Sequence, residues 1–219
     1  MKAEGPHIEQ EQPVRVAICV PSGDEVKADF AFSLASMINH APGTPNLEVL
    51  GLLNQRISVL PDSRNILAKQ AVDGGFTHLL WIDSDMSFPH DMLARLMRHR
   101  VPIVGINASM RNPPFKTTAL TAPGVNCITN LDSTGLEKVE RMGMGVVLHT
   151  VDVLHAIRKR PYFSFEYLKS KHKHRGEDYY FGEKVKRAGY QLVIDHDVSK
   201  EVGHVGSFAH YPMRDQASA

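Results

Sequence analysis

Residues 77–93 read THLLWIDSDMSFPHDML, and the first nine, Thr77 to Asp85, decide the fold. Thr77 to Ile82 (THLLWI) is a strongly apolar run containing the sole tryptophan, Trp81, and reads as a buried strand. A strand covered on both faces reads this way, whereas a half-solvated strand alternates. The run stops at two carboxylates, Asp83 and Asp85, separated by Ser84. In open α/β sheets ligands gather beyond the carboxyl ends of the strands, so the acidic pair stands where a site belongs. Ser87 is placed to cap a helix running through Arg98, with Pro89 in its first turn. The alternative is that Asp83 or Asp85 itself caps that helix.

Upstream, Val14 to Val20 (VRVAICV) is a second buried strand, broken by Pro21-Ser22-Gly23-Asp24. Val26 to Ile38 has apolar residues at helical spacing, Ala41 to Pro45 is a loop, and Leu47 to Leu53 is a strand. Asp62 or Ser63 is the expected N-cap of a helix ending near Val72, before Gly74-Gly75. Downstream, Val101 to Gly105 is a strand. Periodicity fades between Met110 and Val139, which suits hairpins or a mobile flap. Met144 to Leu148 reads as a strand, Val151 to Ile157 as a short helix, and Gly176-Glu177-Asp178 opens a helix ending near Ala188-Gly189. Gln191 to Ile194 is the last strand. This alternation predicts an α/β fold with a mixed, mostly parallel central sheet flanked by helices.

The 219 residues fit one domain, and a formal net charge of +1 opposes a surface built as a whole to coat nucleic acid. Lys169 to Arg175 (KSKHKHR) is the one dense basic run. It suits a solvated loop, a lid over a diphosphate, or a grip on a polyanion. The two cysteines, Cys19 and Cys127, show neither disulfide nor metal-ligand spacing, which suits a reducing cytosol. No run of about 18 apolar residues is present to span a bilayer. Met1 to Pro13 is polar, without the apolar region of a secretory signal, and is expected to be a flexible leader. Residues 214–219 are expected to be a tail. The expected location is the cytoplasm.

Two like charges at a strand end repel unless a cation lies between them. Carboxylate oxygens are hard ligands suited to Mg²⁺ or Mn²⁺, which retain positions for phosphate oxygens. The strand-Asp-Ser-Asp-helix run, the later GEDYYFGEKVKRAGYQLVID (residues 176–195) and EVGHVG (residues 201–206) together resemble the GT-A glycosyltransferases, most closely the small family-2-like and Anp1-like members. The resemblance extends from Val14 to Gly206. It implies a metal-dependent hexosyltransferase using a nucleotide-diphosphate sugar, most often a UDP-sugar. By it, Asp85 binds the metal (Mn²⁺ or Mg²⁺), Asp83 faces the ribose or the metal's water shell, and His204 is a further metal ligand. Pro21, Ser22 and Asp24 lie against the nucleoside, and Ser84, between the two acids, is a further donor-binding residue. Gly145, in Met142-Gly143-Met144-Gly145, approaches the donor sugar. Arg64 pairs with phosphate or braces Asp83, unless it is an exposed helical arginine. Asp178 is the general base, with Glu177 second. His196 has no support from the resemblance and reads as a surface loop residue.

The resemblance further implies a single catalytic domain, 14–213, with a nucleotide-binding half (14–105) and an acceptor-side half (106–213). Compact enzymes similar to this one occur in tailed phages, some acting on hydroxymethylated DNA bases. A saccharide or a modified DNA base is therefore the expected acceptor, and for a phage protein the location is the host cytoplasm. Acceptor recognition falls to Arg111–Asp132, the Pro161–Tyr167 aromatic stretch and the basic run. The rivals are a nucleotidyltransferase, disfavoured by the acidic, glycine-poor loop after the first strand, and a nucleotide-sugar-binding module without turnover.

Overall fold

The computed structural model describes residues 13–110, 116–157, 159–168 and 172–206. The chain runs β1 (Val14–Ser22), α1 (Ala28–His40), β2 (Leu47–Arg56), α2 (Leu60–Asp73), β3 (His78–Ile82), β4 (Met86–Ser87), α3 (Met92–Arg98) and β5 (Ile103–Gly105). It continues through β6 (Leu120–Ala122), β7 (Val125–Asn126), β8 (Leu136–Val139), β9 (Val146–Thr150), α4 (Val151–Ala156), β10 (Glu166–Leu168) and β11 (Lys173–Arg175). The last elements are α5 (Glu177–Arg187), β12 (Leu192–Asp195), α6 (His196–Ser199) and β13 (Gly203–His204).

Seven strands form one sheet in the order β2-β1-β3-β9-β5-β12-β8. β1 pairs parallel with β2 and β3, and β12 parallel with β5. β9 is antiparallel to both of its neighbours, β3 and β5, and β8 is antiparallel to β12. Because two antiparallel steps restore direction, β1, β2, β3, β5 and β12 all point the same way. Their carboxyl ends define one edge of the molecule.

The apolar strands feed two cores by strict alternation, the period of a pleated strand. Ala17, Cys19, Leu79 and Trp81 pack against Leu67, Ala68 and Ala71 of α2 and Phe181 and Val185 of α5. Val16, Ile18, Val20, Leu80 and Ile82 face the other way, onto Phe30 and Met37 of α1 and Met92, Leu93 and Leu96 of α3. Trp81 is fully buried, its ring edge-on to Phe163 at 5.3 Å, and Phe163 stacks on Phe181 at 4.6 Å. Burying aromatic groups of this size contributes on the order of 2–3 kcal/mol each. The indole Nε1–H donates to His149 Nε2 at 2.9 Å, while His149 Nδ1 lies 2.8 Å from the Thr150 carbonyl. His149 is thus a neutral histidine satisfied on both nitrogens, and burial holds its imidazole down at about 4.

Four local expectations are corrected. α2 starts at Leu60, with Val59 in the cap position; Asp62 sits in its first turn, and Ser63 Oγ donates to the Gln55 carbonyl at 3.1 Å. Pro61, with no N–H to leave orphaned, lets the helix begin earlier than the polar residues suggested. Ser87 caps no helix, because β4 pairs antiparallel with β13 and α3 begins only at Met92 after Asp91. The basic run is not all loop: Lys173–Arg175 is β11, paired with β10, and Arg175 forms an ion pair with Glu166. His196 is buried in α6 instead of lying in a surface loop. The poorly periodic stretch after Met110 contains the β6–β7 hairpin and β8. The proposed leader (all but Pro13), the tail, residues 111–115 of the proposed acceptor stretch, and Lys169 and Lys171 lie outside the described residues.

Candidate functional site

β3 ends at Ile82 because the next residue leaves the ladder while keeping one tie: Asp83 N–H donates to the Gly145 carbonyl at 3.0 Å. Met86 N–H then returns to the Asp83 carbonyl at 3.1 Å, closing a turn over Ser84 and Asp85. The Ser84 carbonyl accepts from Lys27 N–H at 3.1 Å, which fastens the loop after β1 to the acidic turn. The ends of β1 and β3 thereby form one surface.

Arg64 reaches this surface from the first turns of α2. It is a buried cation, 1% exposed, so it is not the solvated helical arginine. Nη2 donates to Asp83 Oδ1 at 2.7 Å, and Nε lies 3.5 Å from Glu177 Oε1, close enough for an ion pair but long for a hydrogen bond. The guanidinium carbon stands 5.6 Å from the Trp81 ring and 5.9 Å from Phe163, a cation–π setting. Burial pushes the Asp83 carboxyl above its ordinary range, Arg64 pulls it back, and neighbouring Asp85 pushes it up again. One guanidinium does not fully offset two acids in this setting.

His204 arrives from the far end of the chain. The two-residue β4–β13 ladder sets His204 opposite Met86, and Val205 N–H donates to the Asp85 carbonyl at 2.7 Å. His204 Nε2 is then 3.3 Å from Asp85 Oδ2, and Nδ1 is 2.8 Å from the Ser109 carbonyl. A carbonyl on Nδ1 fixes the ring tautomer and presents Nε2, the arrangement that orients metal-binding histidines. One imidazole with carboxylates suits Mn²⁺ or Mg²⁺. Asp83, Asp85 and His204 influence one another electrostatically.

α5 brings its first turn to the same region. Glu177 is buried and directed at Arg64. Asp178 Oδ1 accepts from Tyr179 N–H at 2.7 Å, while burial and the adjacent Glu177 raise its carboxyl to about 6. A base poised near neutral pH is the requirement for proton abstraction from a hydroxyl. A Cβ on Gly176 would stand 2.6 Å from Asp178 Oδ1, so the glycine makes room for this carboxylate.

No protein-family model and no curated protein matches this sequence. Its fold does match solved structures. A197 from STIV superposes with a TM-score of 0.55 at 14% identity, over 90% of this chain and 100% of that one. A mutant of Drosophila β1,4-galactosyltransferase 7, in complex with manganese, UDP-Gal and xylobiose, superposes with a TM-score of 0.53 at 12% identity, over 94% and 80%. TarS 1–349 from S. aureus gives 0.50 at 16% identity, over 88% of this chain and 60% of that one. The fold is GT-A-like.

Within the GT-A-like fold, the other expected residues fall in two places. Pro21 and Ser22 end β1; Asn54 Nδ2 donates to both the Val20 carbonyl (2.9 Å) and Ser22 Oγ (2.8 Å). Asp24 is exposed and ion-paired with Arg56. Ser22, Asp24 and Arg56 line a cavity of about 460 Å³ between α1 and β2, whose floor is Val20, Phe30, Leu34 and Leu52. Gly145 packs under the acidic turn, where an added Cβ would meet Met86 Sδ at 3.3 Å.

Sequence reasoning missed a second cluster, farther along the sheet where β12 ends beside β8. Cys127, Glu137 and His196 offer three ligand-type atoms within 4.8 Å of one another, and no other group of three does so among the described residues. The spacing of Cys127 showed nothing because its neighbours come from β8 and α6. The only available signal was the polar stretch Asp195-His196-Asp197 directly after a buried strand.

Proposed function

We propose that this chain is a divalent-metal-dependent glycosyltransferase that moves a sugar from a nucleotide-diphosphate donor, a UDP-sugar, to an acceptor hydroxyl. The GT-A-like fold supports the donor class, and one structural neighbour carries manganese and UDP-Gal. The observation that carries the reading is local: β4 and β13 bring His204 Nε2 to 3.3 Å from Asp85 at the end of β3, with Nδ1 engaged by Ser109. Asp85 and His204 would hold Mn²⁺ or Mg²⁺, with Asp83 beside them. Bound there, the ion supplies Lewis-acid stabilisation of the departing nucleoside diphosphate.

The chain's own residues divide the remaining work. Arg64 holds Asp83 in one orientation and lends positive charge to the pocket. Ser22, Ser84 and the backbone around Pro21 face the nucleoside, and Gly145 lets the donor sugar approach the backbone closely. Asp178 takes the proton from the acceptor hydroxyl, while Glu177 anchors Arg64 and leaves Asp178 the base. Residues 14–105 supply most of the donor side and residues 106–213 the acceptor side.

The test is nucleoside diphosphate release from a panel of sugar nucleotides with Mn²⁺, with and without carbohydrate and hydroxymethylated-DNA acceptors. Wild type is expected to hydrolyse one UDP-sugar slowly and faster with its acceptor. Asp85→Ala is expected to lose at least about 100-fold of the metal-dependent rate. Equal rates in wild type and Asp85→Ala refute the assignment. Donor binding with no release under any condition favours a non-catalytic nucleotide-sugar-binding module.

A further inference from the structure

We propose that Cys127, Glu137 and His196 form a second metal site, selective for a thiophilic divalent ion of the Zn²⁺ class and distinct from the acidic strand end. Cys127 Sγ lies 3.4 Å from Glu137 Oε2, and His196 Nε2 lies 2.7 Å from the same oxygen. With metal–sulfur bonds near 2.3 Å and metal–nitrogen or –oxygen bonds near 2.0–2.1 Å, tetrahedral ligand atoms stand roughly 3.3–3.6 Å apart. The sulfur–oxygen separation already meets this. The nitrogen–oxygen pair must open by about 0.6 Å, and Glu137 is the side chain free to yield, being 41% exposed.

The other two ligands are fixed. Cys127 and His196 are buried. His196 Nδ1 lies 2.9 Å from Thr129 Oγ1, a partner for an Nδ1–H once a metal replaces the proton shared between Nε2 and Glu137 Oε2. Thr129 Oγ1 in turn accepts from Asn107 Nδ2 at 3.0 Å, and the same amide holds the Cys127 carbonyl at 2.9 Å. Asn107 is itself buried, accepting from Ala119 N–H through Oδ1 and donating its backbone N–H to Ser199 Oγ. The scaffold is equally set: Ile194 pairs with Glu137 across the β12–β8 ladder, and the Asp195 carboxylate caps α6 by accepting from Val198 N–H at 2.9 Å. The Gly135 carbonyl accepts from His196 N–H at 2.9 Å.

Donor chemistry sets the selectivity. The thiolate decides it, since sulfur favours Zn²⁺ or Co²⁺ over Mg²⁺ and Mn²⁺, which take oxygen-rich sets. Three protein ligands leave a fourth position for water on the exposed Glu137 side. Binding displaces the thiol proton and clips the β7–β8 segment to α6 at the edge of the sheet.

The test is Co²⁺ titration of the full chain after chelator treatment and reduction, read by thiolate-to-cobalt charge-transfer absorption. The acidic strand end, Asp83, Asp85 and His204, offers no thiolate and gives no such band, so this outcome is separate from the glycosyltransferase reading. Wild type, Cys19→Ser and Asp85→Ala are each expected to bind one equivalent with the band, and Zn²⁺ to displace it. Cys127→Ser is expected to lose the band, and Glu137→Gln to weaken Co²⁺ binding by more than about 10-fold. A folded wild type without the band, a band that survives in Cys127→Ser, or unchanged affinity in Glu137→Gln each reduces the cluster to a hydrogen-bonded triad and overturns the proposal. The wild-type and Glu137→Gln measurements decide the matter even where Cys127→Ser fails to fold.

Discussion

Replacing Arg64 with methionine tests whether the acidic edge is held up by one buried cation. The guanidinium is 1% exposed, contacts Asp83 at 2.7 Å and Glu177 at 3.5 Å, and lies against Trp81 and Phe163. Methionine keeps much of the volume and the aromatic contact but leaves both carboxylates without their counter-charge. Removing one partner from a buried ion pair costs about 3–5 kcal/mol, since the remaining charge stays desolvated. For a chain of this size that is a fall in Tm of roughly 6–20 °C. Arg64 is also what draws the Asp83 carboxyl downward, so in the variant Asp83 rises further. A carboxylate whose folded-state value is raised costs stability above its unfolded value and recovers it on protonation. The deficit of Arg64→Met is therefore expected to shrink as pH falls from 8 toward 5. Adding Glu177→Gln is expected to restore part of the loss, because it removes the second orphaned charge. Urea unfolding at pH 8 and pH 5 measures all three chains. A single variant within about 1 kcal/mol of wild type at pH 8 refutes the reasoning.

Asp178→Asn is expected to lower transfer by about 10²- to 10⁴-fold with donor affinity retained. In wild type, activity should fall as pH drops through about 6, where Asp178 takes up a proton; an acidic limb that persists unchanged in the residual activity of Asp178→Asn contradicts its role as base. Because the raised carboxyl costs stability above the unfolded value, the same variant should be more stable at pH 8, by on the order of 2–3 kcal/mol. Gly176→Ala should impair catalysis more than folding: its φ of −63° suits alanine, but the new Cβ displaces Asp178 Oδ1. Equal rates in Gly176→Ala and wild type show that this carboxylate needs no fixed position. His149, held down at about 4, favours the folded state fully above its unfolded value near 6.5 and loses that contribution as pH falls toward 4. Thermal unfolding should show a loss on the order of 3 kcal/mol across that window, and a flatter dependence in His149→Gln; parallel curves refute the assignment.

How much was legible follows from how local each signal is. Val14–Val20 and Thr77–Ile82 announced strands buried on both faces because they are largely apolar, and the sheet places both inside its edges, the second one starting at His78. Asp83 and Asp85 were visible at the end of β3, since a strand's last residue and the next polar ones are neighbours in sequence. Ser87 misled for the same reason: it looks like a cap, yet its backbone is claimed by Gly203, which lies far along the chain. The reversed direction of β9 left no trace in composition, because a buried strand is equally apolar whichever way it runs.

The sequence alone determined the periodicities, the breakers and the chemical types at each strand end, all fixed within a few residues of backbone. Only the tertiary structure decided that Arg64 sits buried between Asp83 and Glu177, that His204 stands beside Asp85, and that Cys127, Glu137 and His196 meet. Those neighbours are chosen by which strands pair and which faces pack, and pairing depends on hydrogen bonds and apolar area summed over the whole sheet instead of on any one segment.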